Sequence, residues 1–200
     1  MKCIISSLAA FLAVLPLPCP VTGADNATVL KEPADWRFEG MAIPPGFAPD
    51  IRLTGREEIR FAPGMFDTRA NDYFSYAMVI LADGAPKIEA AELREFLEKY
   101  YRGLSIAVGR GKGFAPDAAQ MKAEVKPAMA GPKGGRRFEA EVVFFDSFTD
   151  GRKITLHVEA LVVPRPATKQ TCLIMMVSPS AKEAAIWKTL REVGDKAAGK

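Results

Sequence analysis

The chain has 200 residues, 27 Lys plus Arg against 24 Asp plus Glu, 48% hydrophobic residues, three Cys and one His. That length suits one domain with a real core. The hydrophobic share, with 12 Phe, excludes a disordered tail, a formal charge of +3 is too small for a nucleic-acid binder, and one His excludes every mechanism that needs two.

Met1-Lys2-Cys3 leads into an almost unbroken apolar run, Ile4 to Leu17, and then Pro18-Cys19-Pro20-Val21-Thr22-Gly23-Ala24. A positive start, an apolar stretch of about 7–15 residues and a small-residue exit are the parts of a secretory signal peptide, so residues 1–24 are expected to leave after Ala24. Pro16 and Pro18 cut the run short of the roughly 20 residues that a spanning helix needs. They also occupy the positions where a lipoprotein signal, modified at Cys19, would carry an aliphatic and a small residue. Export would put the mature chain in the periplasm or outside the cell, with 26 basic and 24 acidic side chains and Cys172 as its one thiol. One cysteine forms no internal disulfide, so packing must hold the fold together. Cys172 stands inside the apolar run Thr171–Val177, the setting of a buried, inert thiol.

Residues 25–58 contain Pro44, Pro45 and Pro49 and no sustained period, and they read as an extended Pro/Gly-rich segment laid over a domain at 59–200. Trp36, Phe38 and Phe47 would anchor it, and any of them left exposed would serve as a partner-docking residue. Phe61-Ala62-Pro63-Gly64-Met65-Phe66-Asp67 is a turn with two aromatics. Tyr73 to Ala82 is apolar on both alternating faces, as a strand covered on both sides should be. Leu93, Phe96, Leu97, Tyr100 and Leu104 then follow helical spacing, with Glu95–Lys99 and Glu98–Arg102 as ion pairs on the wet side. This predicts a helix over 88–103, ended by Gly103.

Gly109-Arg110-Gly111-Lys112-Gly113 and Gly131-Pro132-Lys133-Gly134-Gly135-Arg136-Arg137 flank a short strand expected near Lys122 to Met129. Arg110, Lys112, Arg136 and Arg137 are the anion-binding candidates, although Walker spacing is absent and hairpin tips have the same composition. Strands follow at Arg137–Asp146 and Lys153–Val163, joined through Asp150-Gly151. Phe138, Ala140, Val142 and Phe144 line one face of the first, and Ile154, Leu156, Val158 and Ala160 one face of the second. This parity fixes the register to within two residues, and a pairing whose numbers sum to about 298 would put His157 opposite Glu141 and Glu159 opposite Glu139. Gln170 to Val177 is a second two-sided strand, expected at the sheet centre. Ser180-Ala181-Lys182-Glu183 reads as a capping box for a helix over 181–197 with Ile186, Trp187, Leu190 and Val193 on its apolar face.

The order predicts one α+β domain, a twisted antiparallel sheet of about five or six strands packed with two main helices, 88–103 and 181–197. Closing on a two-sided strand and a Trp-containing helix, residues 70–197 resemble the layout of PsbP-like α/β/α domains. The resemblance implies an accessory or assembly factor rather than an enzyme. Glu57-Glu58-Ile59-Arg60-Phe61-Ala62-Pro63-Gly64-Met65-Phe66-Asp67 is similar to a stretch found in uncharacterised bacterial exported proteins.

Glu139, Glu141, His157 and Glu159 are the one catalytic candidate group, able to bind a divalent cation or set a general base; the same residues also suit an ordinary wetted sheet face. Nucleophile elbows, CxxC, HExxH and EF-hand loops are absent from the sequence. The expectation is an exported, non-enzymatic accessory or binding protein without cofactor or metal, partnered by another envelope protein or complex, with no nucleic acid and no transmembrane helix in the mature chain. The alternatives are a small metal- or carboxylate-dependent hydrolase using the hairpin patch, and a small-ligand binding protein.

Overall fold

A computed structural model describes residues 28–199, so the expected signal peptide at 1–24 lies outside the described residues. Two strands set the architecture, β3 (Tyr76–Asp83) and β8 (Gln170–Ser178), because both are apolar on each face and pair antiparallel. A strand buried on both sides cannot sit at an edge. In chain order the others are β1 (Arg37–Ile43), β2 (Gly55–Phe61), β4 (Ala123–Val125), β5 (Met129–Ala130), β6 (Arg136–Phe145) and β7 (Lys153–Arg165). The eight strands form one antiparallel sheet in the order β1-β2-β3-β8-β7-β6-β4, with β5 also paired to β6. β8 is therefore central.

The sheet has more than the expected five or six strands, for two local reasons. The segment 25–58 carries β1 and the first residues of β2, whose period is blurred by Gly40 and by exposure along an edge. The strand expected near Lys122 to Met129 is two short pieces, β4 and β5, with Pro127 between them removing a backbone donor. Among the registers that parity allows, the β6–β7 ladder takes the one in which Glu141 faces His157 and Glu139 faces Glu159.

Each face is covered by one helix. Tyr76, Met78 and Ile80 of β3, with Leu173 and Met175 of β8, pack beneath Leu93, Leu97 and Tyr101 of α1 (Ala90–Lys112). Val79, Leu81, Cys172 and Ile174 pack on the other face beneath Trp187, Leu190 and Val193 of α2 (Ala185–Ala197). The Glu95–Lys99 pair forms at 2.8 Å, whereas Glu98 turns away from Arg102 and accepts the Ala123 amide at 3.2 Å.

Helix α1 does not stop at Gly103. A Cβ there would lie 2.2 Å from the Phe47 carbonyl oxygen, so this glycine allows the connection after β1 to approach the helix. The helix ends at Gly113 instead, whose φ of 77° is the left-handed cap conformation, its amide donating to the Gly109 carbonyl. The Ser180–Glu183 capping box does not form either. α2 starts after Ala184 without a side-chain cap, and the Ser180 carbonyl accepts the Trp187 indole N–H at 2.9 Å.

The half of the second face beyond α2 is covered by the first described residues. Leu30 and Trp36 are 1% and 6% exposed in the α2 cluster. Glu58 Oε2 accepts the Val29 and Leu30 amides at 2.7 and 2.8 Å, and Arg60 donates to the carbonyls of Leu30 at 3.0 Å and Trp36 at 2.8 Å.

Two glycines of α1 separate close approach from helix propensity. Gly103→Ala drives a methyl into backbone and should cost about 2 kcal/mol or more. Gly111→Ala, whose Cβ meets nothing within 4 Å, should gain roughly 0.5–1 kcal/mol. Urea unfolding measures both, and equal effects would contradict the packing described.

Candidate functional site

Helix α2 crosses β3 and β8 and leaves β4, β6 and the first half of β7 uncovered on that face. The alternation that buries Phe138, Ala140 and Val142 beneath α1 turns Glu139, Glu141, His157 and Glu159 to this open side. Glu124 of β4 pairs with Glu141, so a row Glu124–Glu141–His157–Ser178 runs across four strands. With the turn before α2, the strands enclose an open groove of about 530 Å³ whose charged lining includes Lys126, Glu139, Glu141, His157 and Lys182.

Four carboxylates, Glu124, Glu139, Glu141 and Glu183, line the groove against two lysines, and both lysines go to Glu139. Glu139 Oε2 lies 3.0 Å from both Lys126 Nζ and Lys182 Nζ, and their hydrogen bonds, Lys126 first, hold its carboxyl below the usual range. Glu159 turns out of the group toward α2, where Arg191 grips it in a fork, Nη2 to Oε1 at 2.7 Å and Nε to Oε2 at 3.0 Å. His157 Nδ1 is 3.4 Å from Glu141 Oε1. Three of the four catalytic candidates thus share the groove, and the fourth belongs to a helix-to-sheet ion pair. Among the described residues no three His, Cys, Asp or Glu side chains gather as a metal-ligating group.

The anion candidates do not form one patch. Arg110 and Lys112 are in the last turn of α1, where Lys112 donates to the Phe148 carbonyl. Arg136 opens β6 beside Arg137 and pairs with Glu89, the residue before the start of α1. The two basic segments sit at opposite ends of a 23-residue helix, roughly 34 Å apart at the helical rise.

Of the docking aromatics, Trp36 is buried, and Phe47 is half-buried edge-on to Tyr100 at 5.1 Å. Phe38 alone stays at the surface, 40% exposed, with the Arg60 guanidinium 4.9 Å from its ring centre. Cys172 is fully buried, and burial pushes its thiol up to about 11. A second open groove, of about 860 Å³, lies between Tyr73, Arg152 and the start of α2, with Ile186 and Thr189 in its wall.

Two residues escaped the sequence reading. Glu57 and Glu58 of β2 are 1% and 2% exposed. Strand alternation sends one to each face, so Glu57 lies beneath α1 while Glu58 holds the N-terminal segment. The visible signal was a charged pair followed by Ile59 and Phe61 in strand spacing.

Comparison with family models, with curated proteins and with solved structures gives no match for this chain.

Removing both lysines tests their clamp on Glu139. In a Lys126→Met, Lys182→Met variant the Glu139 carboxyl should titrate at higher pH than in the wild type, read by carboxylate NMR. An unmoved titration would mean that the two ammonium groups do not hold it.

Proposed function

We propose that this is an exported, non-enzymatic accessory or binding protein that offers its open sheet face to another envelope protein or complex. The lysine clamp on Glu139 carries the reading. A carboxylate held by two lysines is a poor proton acceptor, and Glu159, which a carboxylate pair would need, is committed to Arg191. Such a surface suits recognition, where charges held in place fix register and exclude wrong partners.

Further support comes from the two ends of the argument. The start of the chain has the composition of a secretory signal, and no helix among the described residues is long and apolar enough to cross a membrane. The resemblance of residues 70–197 to the layout of PsbP-like domains, whose members are mostly accessory or assembly factors, points the same way. The second groove, beside Tyr73 and Arg152, favours the small-ligand alternative. The hydrolase alternative would need Glu139, Glu141, His157 and Glu159 to converge.

Site-specific photo-crosslinking in the native envelope tests the proposal. A photoreactive residue at Glu141 should give a discrete protein adduct, and one at the exposed Arg94 on α1 should give none. No adduct from Glu141, together with a divalent-metal thermal shift abolished by His157→Ala, would replace this reading with the hydrolase.

A further inference from the structure

Glu57 stands out among the buried groups because its carboxylate has one partner where it needs several. Its Oε1 accepts the Tyr100 hydroxyl at 2.9 Å, while Oε2 is buried with no hydrogen-bond partner among the described residues. Each element packed around it brings either a hydroxyl or another acid: Tyr100 and Tyr101 from α1, Tyr76 from β3, and Glu39 from β1. Tyr76 and Tyr101 satisfy each other, hydroxyl to hydroxyl. Among the described residues, the side chains that shift its titration are Tyr100 and Glu39, and neither is a cation. An ionised carboxylate in this setting finds no countercharge in those side chains and has half its hydrogen-bonding capacity unmet, whereas the protonated acid fits without charge.

The cover over Glu57 is uneven. On the α1 side, Leu93, Leu97 and Tyr101 are fully buried and would be costly to lift. The connection between β1 and β2, residues 44–54, buries the smaller Pro45, Ala48 and Ile51 and leaves its other residues half-buried or exposed. Its ties to α1 include the half-buried Phe47 ring against Tyr100, and Lys99 Nζ donating to the Asp50 carbonyl at 2.7 Å on the surface. β1 beyond it is an edge strand that pairs, among the described residues, with β2 alone. Water can reach Oε2 at least cost by displacing this connection and the strand edge, with α1 left in place.

We infer that Glu57 is a proton-sensitive latch: protonated, it lets β1, β2 and the 44–54 connection close over α1, and ionised, it loosens that edge of the sheet. Burial pushes its pKa up to about 7, the Tyr100 hydrogen bond opposes the rise, and the Glu39 charge adds to it. The sign follows. Between the ordinary carboxylate value of 4.5 and about 7 the folded state holds a proton that the unfolded chain has released, so stability falls as pH rises through this window. The effect lies in the range where an exported protein meets changing surroundings, and it does not depend on which partner the open face binds.

Hydrogen exchange on the purified protein from pH 5.5 to 8.5, corrected for the intrinsic pH dependence of amide chemistry, reads the latch directly. Amides of β1, β2 and residues 44–54 should lose protection in a step that descends as pH rises from 5.5 and levels off near pH 7, while the α1 amides and β8 keep theirs. Glu57→Gln should remove the step. Two milder variants should move it in opposite directions: Tyr100→Phe upward, because a hydrogen bond to the ionised form is lost, and Glu39→Gln downward, because a like charge is lost. Protection independent of pH in the wild type, a step that survives Glu57→Gln, or a levelling-off point that neither milder variant moves would overturn the inference.

Discussion

The structure depends on one constraint: β3 and β8 are apolar on both faces, so both faces of the sheet centre must be covered. With no disulfide among the described residues, packing has to meet that demand alone. On one side a 23-residue helix is long enough to do so. On the other, α2 has 13 residues and covers only part of the width, and the segment around Leu30 and Trp36 supplies the remainder. That segment has no regular structure of its own. It is fixed by Glu58, which accepts two of its amides, and by Arg60, which donates to its carbonyls. Arg56 pairs with the second Glu58 oxygen, so the buried charge is offset by hydrogen bonds and a cation.

Neighbouring carboxylates on one strand thus have opposite fates. Glu58 has two amides and a guanidinium as partners. One residue away, Glu57 faces tyrosines and another acid, and burial favours its protonated form. The same economy of cover leaves β4, β6 and the start of β7 bare on the α2 side. A bare sheet face in water needs charge, and here lysines clamp Glu139 while Glu124 and Glu141 stand side by side, which makes it a charged surface suited to recognition.

Much of this was legible because the period of hydrophobicity carried it. The two-sided strands, the α1 face at Leu93, Phe96, Leu97 and Tyr100, and the Trp187 face of α2 all follow from spacing. Parity narrowed the β6–β7 register to within two residues, since a one-residue slip would expose Phe138 and Phe144, and the structure selects Glu141 opposite His157. What escaped depended on contacts distant in sequence. Gly103 looks like a helix stop until Phe47 is seen against it, and Ser180 looks like a cap until its carbonyl is claimed by Trp187. Glu159 looks like a catalytic partner for His157 until Arg191 reaches it from α2, and Arg110 and Arg136 look like one basic patch until α1 separates them. The Glu57–Glu58 pair carried no sign of burial in itself, because charge ordinarily signals exposure and only tertiary partners reverse that rule.

The claim that a single carboxylate holds the second cover in place is tested most directly by hydrogen exchange and denaturant unfolding of Glu58→Ala. The account predicts that the Val29 and Leu30 amides lose their protection, that the α1 side keeps its own, and that stability falls by roughly 3 kcal/mol as Arg56 loses its buried partner. Undiminished protection at Val29 and Leu30, with stability within about 0.5 kcal/mol of the wild type, would contradict it.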